Sequence, residues 1–136
     1  MTFCKVWLIL GCALLMMAGC SSIQPAGGSP AAQALENYLK ALAGKNETAY
    51  AQLICPDWEM EAFLEFDAYQ GVETSLSGLA CRQTGEQDGD VLATCQGKLI
   101  LSYSNEKQEV DLSQRSYRLA LKNETWQVCG FTSTDH

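Results

Sequence analysis

The hydrophobic period of this chain changes at Gly71. Before it, apolar residues recur at steps of three and four; after it, they recur at steps of two. That change confines the chain to folds in which helices come first and an antiparallel sheet follows, the α+β class. Ala31 to Ala43 carries Leu35, Tyr38, Leu39 and Leu42 on one helical stripe. Ser29 is placed to cap it, Pro30 suits its first position, and Gly44 stops it. A short second helix takes Thr48, Ala49, Tyr50, Leu53 and Ile54. A third segment starts at Pro56 and turns Trp58, Ala62, Phe63, Phe66 and Tyr69 inward. Asp57, Glu59 and Glu61, in its first turns, complement the helix dipole rather than form a carboxylate pair for catalysis.

Four strands are predicted: Ser77 to Thr84, Val91 to Tyr103, Gln108 to Lys122 and Trp126 to Thr132. Gln87-Asp88-Gly89, Ser104-Asn105-Glu106 and Asn123-Glu124 are the turns between them. The third strand does not hold one phase. Val110 and Leu112 share one parity, while Tyr117, Leu119 and Leu121 share the other. A β-bulge or bend between Ser113 and Ser116 would return all five to one face and curl the sheet. The expected fold is therefore N-terminal helices packed on a curled four-stranded antiparallel sheet.

The first twenty residues lie outside that fold. Lys5 precedes an apolar run from Val6 to Ala18, and Met17-Ala18-Gly19-Cys20 ends it. The run is shorter than the roughly 20 residues a transmembrane helix needs, and it reads as a secretory signal. With small residues directly before a cysteine, it resembles the signal of bacterial lipoproteins. The resemblance implies cleavage after residue 19 and a lipid on Cys20. Residues 1–19 are then the signal peptide, 20–29 a flexible Ser-, Gly- and Pro-containing tether, and 30–136 a single domain. The implied location is the cell membrane or outer membrane, lipid-anchored and facing the extracytoplasmic side.

The chain has seven cysteines. Cys4 and Cys12 leave with the signal and Cys20 takes the lipid, so Cys55, Cys81, Cys95 and Cys129 remain. Outside the cytoplasm an even set in a small domain reads as disulfides. There is no C-x-x-C pair, and the one histidine is His136, at the end of the sequence, so no metal site or cofactor is expected. Four cysteines allow three pairings. Cys81 and Cys95 each stand seven residues from Asp88, the centre of the first strand turn, and so oppose each other. Opposed residues have Cα atoms about 4.5–5.5 Å apart, which a disulfide can bridge. In a simple meander, strands two and four are nearly 10 Å apart, too far for Cys95 and Cys129. That leaves Cys55 for Cys129. A closed barrel, which brings strands one and four together, would reopen the choice.

Sixteen Asp and Glu stand against nine Lys and Arg, and Lys5 leaves with the signal, so the mature chain carries about −8. Nucleic acid and anionic headgroups both reward a basic surface, so neither is an expected partner of the domain. The two N-x-T triplets, Asn46-Glu47-Thr48 and Asn123-Glu124-Thr125, read as turn residues.

Three stretches carry a further resemblance: Ala34-Leu35-Glu36-Asn37-Tyr38-Leu39-Lys40-Ala41-Leu42, Ala49-Tyr50-Ala51-Gln52-Leu53-Ile54, and the closing Trp126-Gln127-Val128-Cys129-Gly130-Phe131. Together they resemble the nuclear-transport-factor-2-like superfamily in its small bacterial lipoprotein branch. The resemblance implies a cone, with the sheet wrapped round the helices and aromatics such as Trp58, Phe66, Tyr103 and Tyr117 lining its interior. Members include isomerases, dehydratases and cyclases as well as binding modules, so the fold sets no activity. Acid–base catalysis needs a group held near the working pH. Here no internal histidine exists, and Asp111, between Val110 and Leu112, points to solvent. The reading is a non-catalytic binding or interaction module, held at the membrane by its N-terminal lipid. It would meet a small apolar ligand or an envelope protein. A small isomerase or hydro-lyase of the same superfamily is the alternative.

Changing Cys20 to Ser should abolish acyl labelling and leave an uncleaved or mis-sorted precursor. Metabolic labelling with a fatty-acid analogue and fractionation check it, and normal cleavage with full membrane retention would refute it.

Overall fold

The computed structural model describes residues 28–134. The signal, Cys20, most of the tether and His136 lie outside the described residues. Helix α1 runs Pro30–Ala43, α2 Glu47–Gln52 and α3 Glu59–Ala68. Strands follow at β1 Glu73–Gln87, β2 Asp90–Tyr103, β3 Glu106–Asp111, β4 Arg115–Lys122 and β5 Thr125–Ser133. Among the described residues no helix is long and apolar enough to cross a membrane.

The helix ends follow local chemistry. The Ser29 hydroxyl accepts from Ala32 N at 3.2 Å, and Gly44 N–H returns to Lys40 O at 2.8 Å. Asn46 caps α2 by accepting from Ala49 N at 3.1 Å, so this N-x-T asparagine serves as a helix cap. Helix α2 stops at Gln52, shorter than the spacing suggested, because Ile54 leaves it to bridge Val128 on the β5 edge. Pro56–Trp58 forms one 3-10 turn before α3 begins.

The sheet is antiparallel and open, in the order β1-β2-β4-β5, with β3 also on β2. Its strand count corrects the four-stranded expectation. The predicted third strand is two strands, parted by a 3-10 turn at Leu112–Gln114. Both lie along the same side of β2. Lys98 to Tyr103 pair with β3, and Val91 to Thr94 with β4. The break falls beside the phase conflict seen in the sequence. Asp111 caps the turn, accepting from Ser113 N at 2.9 Å and Ser113 Oγ at 2.7 Å. Those hydrogen bonds lower the pKa of this exposed carboxyl. The turn lets Leu112 bury completely on the side that Tyr117 and Leu119 fill. Leu121, expected with them, lies next to the hairpin end and is 55% exposed.

Three hairpins close on two-residue turns with positive φ at both positions: Asp88-Gly89, Ser104-Asn105 and Asn123-Glu124. Such turns match the twist of the strands they join.

The core lies between α1 and the sheet. Leu35, Tyr38, Leu39 and Leu42 meet Cys81, Ala93, Cys95, Leu99, Tyr117, Leu119 and Val128, with Tyr50, Ala62 and Phe66 closing the side. Each fully buried large side chain contributes about 1.5–3 kcal/mol. Cys81 and Cys95 are register partners and are bonded, and Cys55 is bonded to Cys129. At the free edge of β1, Glu36 of α1 accepts from Cys81 N at 3.1 Å.

Strand β1 carries two register shifts against β2, one between Ser77 and Ala80. There Gly97 holds φ +101°, and a Cβ on it would stand 2.5 Å from Ser77 O and 2.6 Å from Gly78 O. Backbone cannot yield as a side chain can, so Gly97→Ala should cost at least about 2 kcal/mol. Gly71, whose Cβ would meet nothing within 4 Å, is the control, and Gly71→Ala should leave stability nearly unchanged. Urea unfolding of the oxidised protein measures both.

Candidate functional site

Two places concentrate polar chemistry, one inside the fold and one on its outer face. The inner one is a chain of phenols ending on an ion pair. Tyr50 donates to Ala62 O at 2.9 Å, which turns its oxygen toward Tyr38, 2.9 Å away. The Tyr38 proton is thus shared between Tyr50 and Glu65 Oε2, the latter at 3.3 Å. Arg115 binds Glu65 Oε1 at 2.7 Å, donates to Tyr117 at 3.4 Å and lies 4.2 Å over the Phe131 ring. The pair is mostly buried, with side chains 12% and 16% exposed for Glu65 and Arg115.

Burial sets the protonation of this cluster. It raises Tyr38 well above the usual phenol range, helped by the Glu65 charge. It pushes Tyr117 up to about 12, although Arg115 pulls the other way. Burial alone would lower the Arg115 pKa, but Tyr117 and Glu65 more than reverse it. The phenols are therefore neutral and Arg115 charged at any physiological pH, with the Glu65 oxygens occupied by donors. The cluster ties α1, α2 and α3 to β4.

Of the aromatics predicted to line an interior, Phe66 and Tyr117 are buried in this core. Trp58 lies at the β5 edge, edge-on to Phe131 at 5.8 Å between centroids. Tyr103 is not with them. It pairs with Glu106 beside the hairpin turn and is 65% exposed, because the end of that hairpin stands clear of the core. The mostly buried carboxylate Glu65 has no counterpart among the residues that the sequence singles out. It stands one residue before Phe66 on α3, and its partner Arg115 is fifty residues away.

The outer place is a groove of about 690 Å³ along the solvent face of β4 and β5. Alternation sends Arg118, Ala120 and Lys122 outward there, opposite Tyr117 and Leu119. The overhang Cys55-Pro56-Asp57 forms one wall. Cys55 N donates to Val128 O at 2.9 Å, Val128 N donates to Leu53 O at 2.7 Å, and the Cys55–Cys129 bond fixes the same point. Strand β5 shifts register at Cys129, which leaves that residue unpaired and aimed at Cys55. Gly130 packs beside the Trp58 ring and holds φ +138°, a backbone conformation that favours glycine. A second groove of about 450 Å³ passes Trp58, Leu92 and Thr132, and both grooves share Asp57, Arg118 and Cys129. Arg118 bonds Cys129 O at 2.9 Å and pairs with Asp90 at 3.4 Å. Neither groove is lined by Glu65 or Arg115. Among the described residues no group of three or more His, Cys, Asp or Glu could hold a metal ion.

No protein-family model matches the chain. No curated protein matches it either. Among solved structures it is similar to the helical cell shape determining protein Pgp2 from Campylobacter jejuni, at 8% identity and a TM-score of 0.48. The alignment covers 73% of this chain and 38% of that one, so this chain spans well under half of Pgp2.

Removing one partner of a buried ion pair leaves the other charge uncompensated, at about 3–5 kcal/mol. Glu65→Gln should therefore destabilise the fold by that order, and the double variant Glu65→Gln/Arg115→Met by clearly less. Chemical unfolding of the single and double variants measures the coupling.

Proposed function

We propose that this chain is an extracytoplasmic, lipid-anchored domain that works by binding a partner on its outer groove and not by catalysis. The observation that carries this reading is the occupancy of the space between helices and sheet. Tyr38, Tyr50 and Tyr117 are completely buried there, stacked and hydrogen-bonded to one another or to the ion pair. The interior offered to a small apolar ligand is thus filled by the chain itself, and the open recesses face solvent. An envelope protein or another extended molecule suits such a recess better. The two disulfides agree with an oxidising compartment.

A nuclear-transport-factor-2-like cone is part of the proposal. It is supported by the helices-first order and by the places where extra residues bend the strands: two in β1, one at Cys129 and the turn after β3. An isomerase or hydro-lyase of that superfamily would need a free acid or base. Glu65, the carboxylate best placed by burial, is engaged by Arg115 and Tyr38.

A photo-crosslinking residue at Thr125, in the groove, should capture a partner when the full chain is anchored in its own envelope. The same residue at Thr84, exposed on β1, is the control. A discrete adduct at Thr125 alone is expected, and adducts at neither position or equally at both would overturn the reading.

A further inference from the structure

The outer edges of the sheet are not alike. Glu36 takes a donor on the edge of β1, and Leu53 and Cys55 cover β5 at Val128. Strand β3 pairs with β2 on one side and has no strand on the other, because β5 follows β4 only as far as Arg115 opposite Ser133. Among the described residues, none of the loop and cap hydrogen bonds ends on the β3 backbone. Every residue of β3 is exposed except Val110, which is half-buried. Alternate N–H and C=O groups along this edge are therefore left to water.

The side chains decide what can pair there. Lys107, Glu109 and Asp111 share one face of β3, and Glu109 is bound to Lys98 of β2. Lys107 enters none of the ion pairs among the described residues. An antiparallel neighbour must set outward-pointing backbone groups opposite outward-pointing ones. Two copies of β3 can then overlap well only with Lys107, Gln108 or Glu109 opposite itself. Centred on Lys107 or Glu109, two like charges face each other across the axis. Centred on Gln108, Lys107 of each copy faces Glu109 of the other, Glu106 faces Val110, and no like charges are opposed.

We propose that β3 pairs with β3 of a second copy of this chain, antiparallel and centred on Gln108. Each Glu109 then lies between Lys98 of its own chain and Lys107 of the other. The occupant is a second copy because the strand is complementary to itself in this register, while an unrelated strand would have to match alternating charges of both signs. Since both copies use the same edge, the pairing closes at two and does not propagate. No residue of β3 lines either outer groove, so this interface is separate from the one proposed on β4 and β5.

Single cysteines along β3 read the register, in the full chain in its own envelope under mild oxidation. Directly opposite residues have Cα atoms about 4.5–5.5 Å apart, which a disulfide bridges. Gln108→Cys should therefore yield a dimer, with a 108–108 peptide in non-reducing mapping. Lys107→Cys and Glu109→Cys are diagonal to themselves, at about 7–8 Å, and should yield at least about fivefold less. Added to Gln108→Cys, Lys107→Glu opposes two pairs of acids and should cut the dimer at least about fivefold, whereas Lys107→Arg should keep it. The native Cys55–Cys129 and Cys81–Cys95 peptides in the same digest report that each variant has folded. The proposal is overturned by no dimer in Gln108→Cys, by equal or higher yields at residues 107 and 109, by a yield indifferent to Lys107→Glu, or by an adduct to a different protein. Failure at β3 leaves the reading of the outer groove standing, and failure of capture at Thr125 leaves this one.

Discussion

The shared proton between Tyr38, Tyr50 and Glu65 is the point from which the rest of this fold is arranged. Tyr38 comes from α1, Tyr50 from α2, and Ala62 and Glu65 from α3, so three helices meet on hydroxyl groups that have no access to water. A buried hydroxyl without a partner costs about 1–3 kcal/mol. Each helix can therefore be displaced only by breaking bonds made to the other two. Arg115 extends the network to β4 and, through the face of Phe131, to β5. The aliphatic stripe of α1 supplies most of the burial, but the phenols fix how the helices sit around it. A core of leucines alone would leave that orientation less specified.

The sheet is bent by additions rather than by uniform curvature. Strand β1 gains residues twice against β2, β5 gains one at Cys129, and the segment between β3 and β4 takes a helical turn. Each addition coincides with something the flat sheet could not provide. Near Ser77 it brings two backbones together over Gly97. At Leu112 it brings an out-of-phase leucine back into the core. At Cys129 it turns a side chain toward a segment outside the sheet, and so builds the wall of the outer groove.

How much of this could be read in advance depended on the range of the interaction. The cap at Ser29, the stop at Gly44 and the change of period at Gly71 are local, and each stands in the structure as its residues suggest. The Cys81–Cys95 pairing follows from a turn centred on Asp88; the turn is in fact Asp88-Gly89, and the register shift between Gln83 and Gly85 adds the one residue in β1 that sets the two cysteines opposite each other. The conflict of phase after Asp111 was visible, but its resolution as a full break, giving five strands, was not. The break is a 3-10 turn, and the Asp111 side chain caps it on Ser113. Glu65 and Arg115 carried no local signal at all. Glu65 sits among exposed acids of α3, and only its long-range pairing with Arg115 of β4 sets it apart from them. Tyr103 shows the opposite error: an aromatic in good strand phase is buried only where something covers that part of the strand.

The contact between Glu36 and the N–H of Cys81 has a consequence for the chain in company. Strand β1 ends the sheet, is fifteen residues long and would otherwise offer a row of free donors and acceptors to any neighbouring molecule. Glu36 takes the donor at the middle of that row, and the two register shifts throw the backbone out of line on either side of it. An incoming strand would have to displace a carboxylate and follow two kinks to add itself to the sheet. Crowded copies are thereby kept from growing into one another edge to edge, and the protection lies in a side chain of the helix that also builds the core.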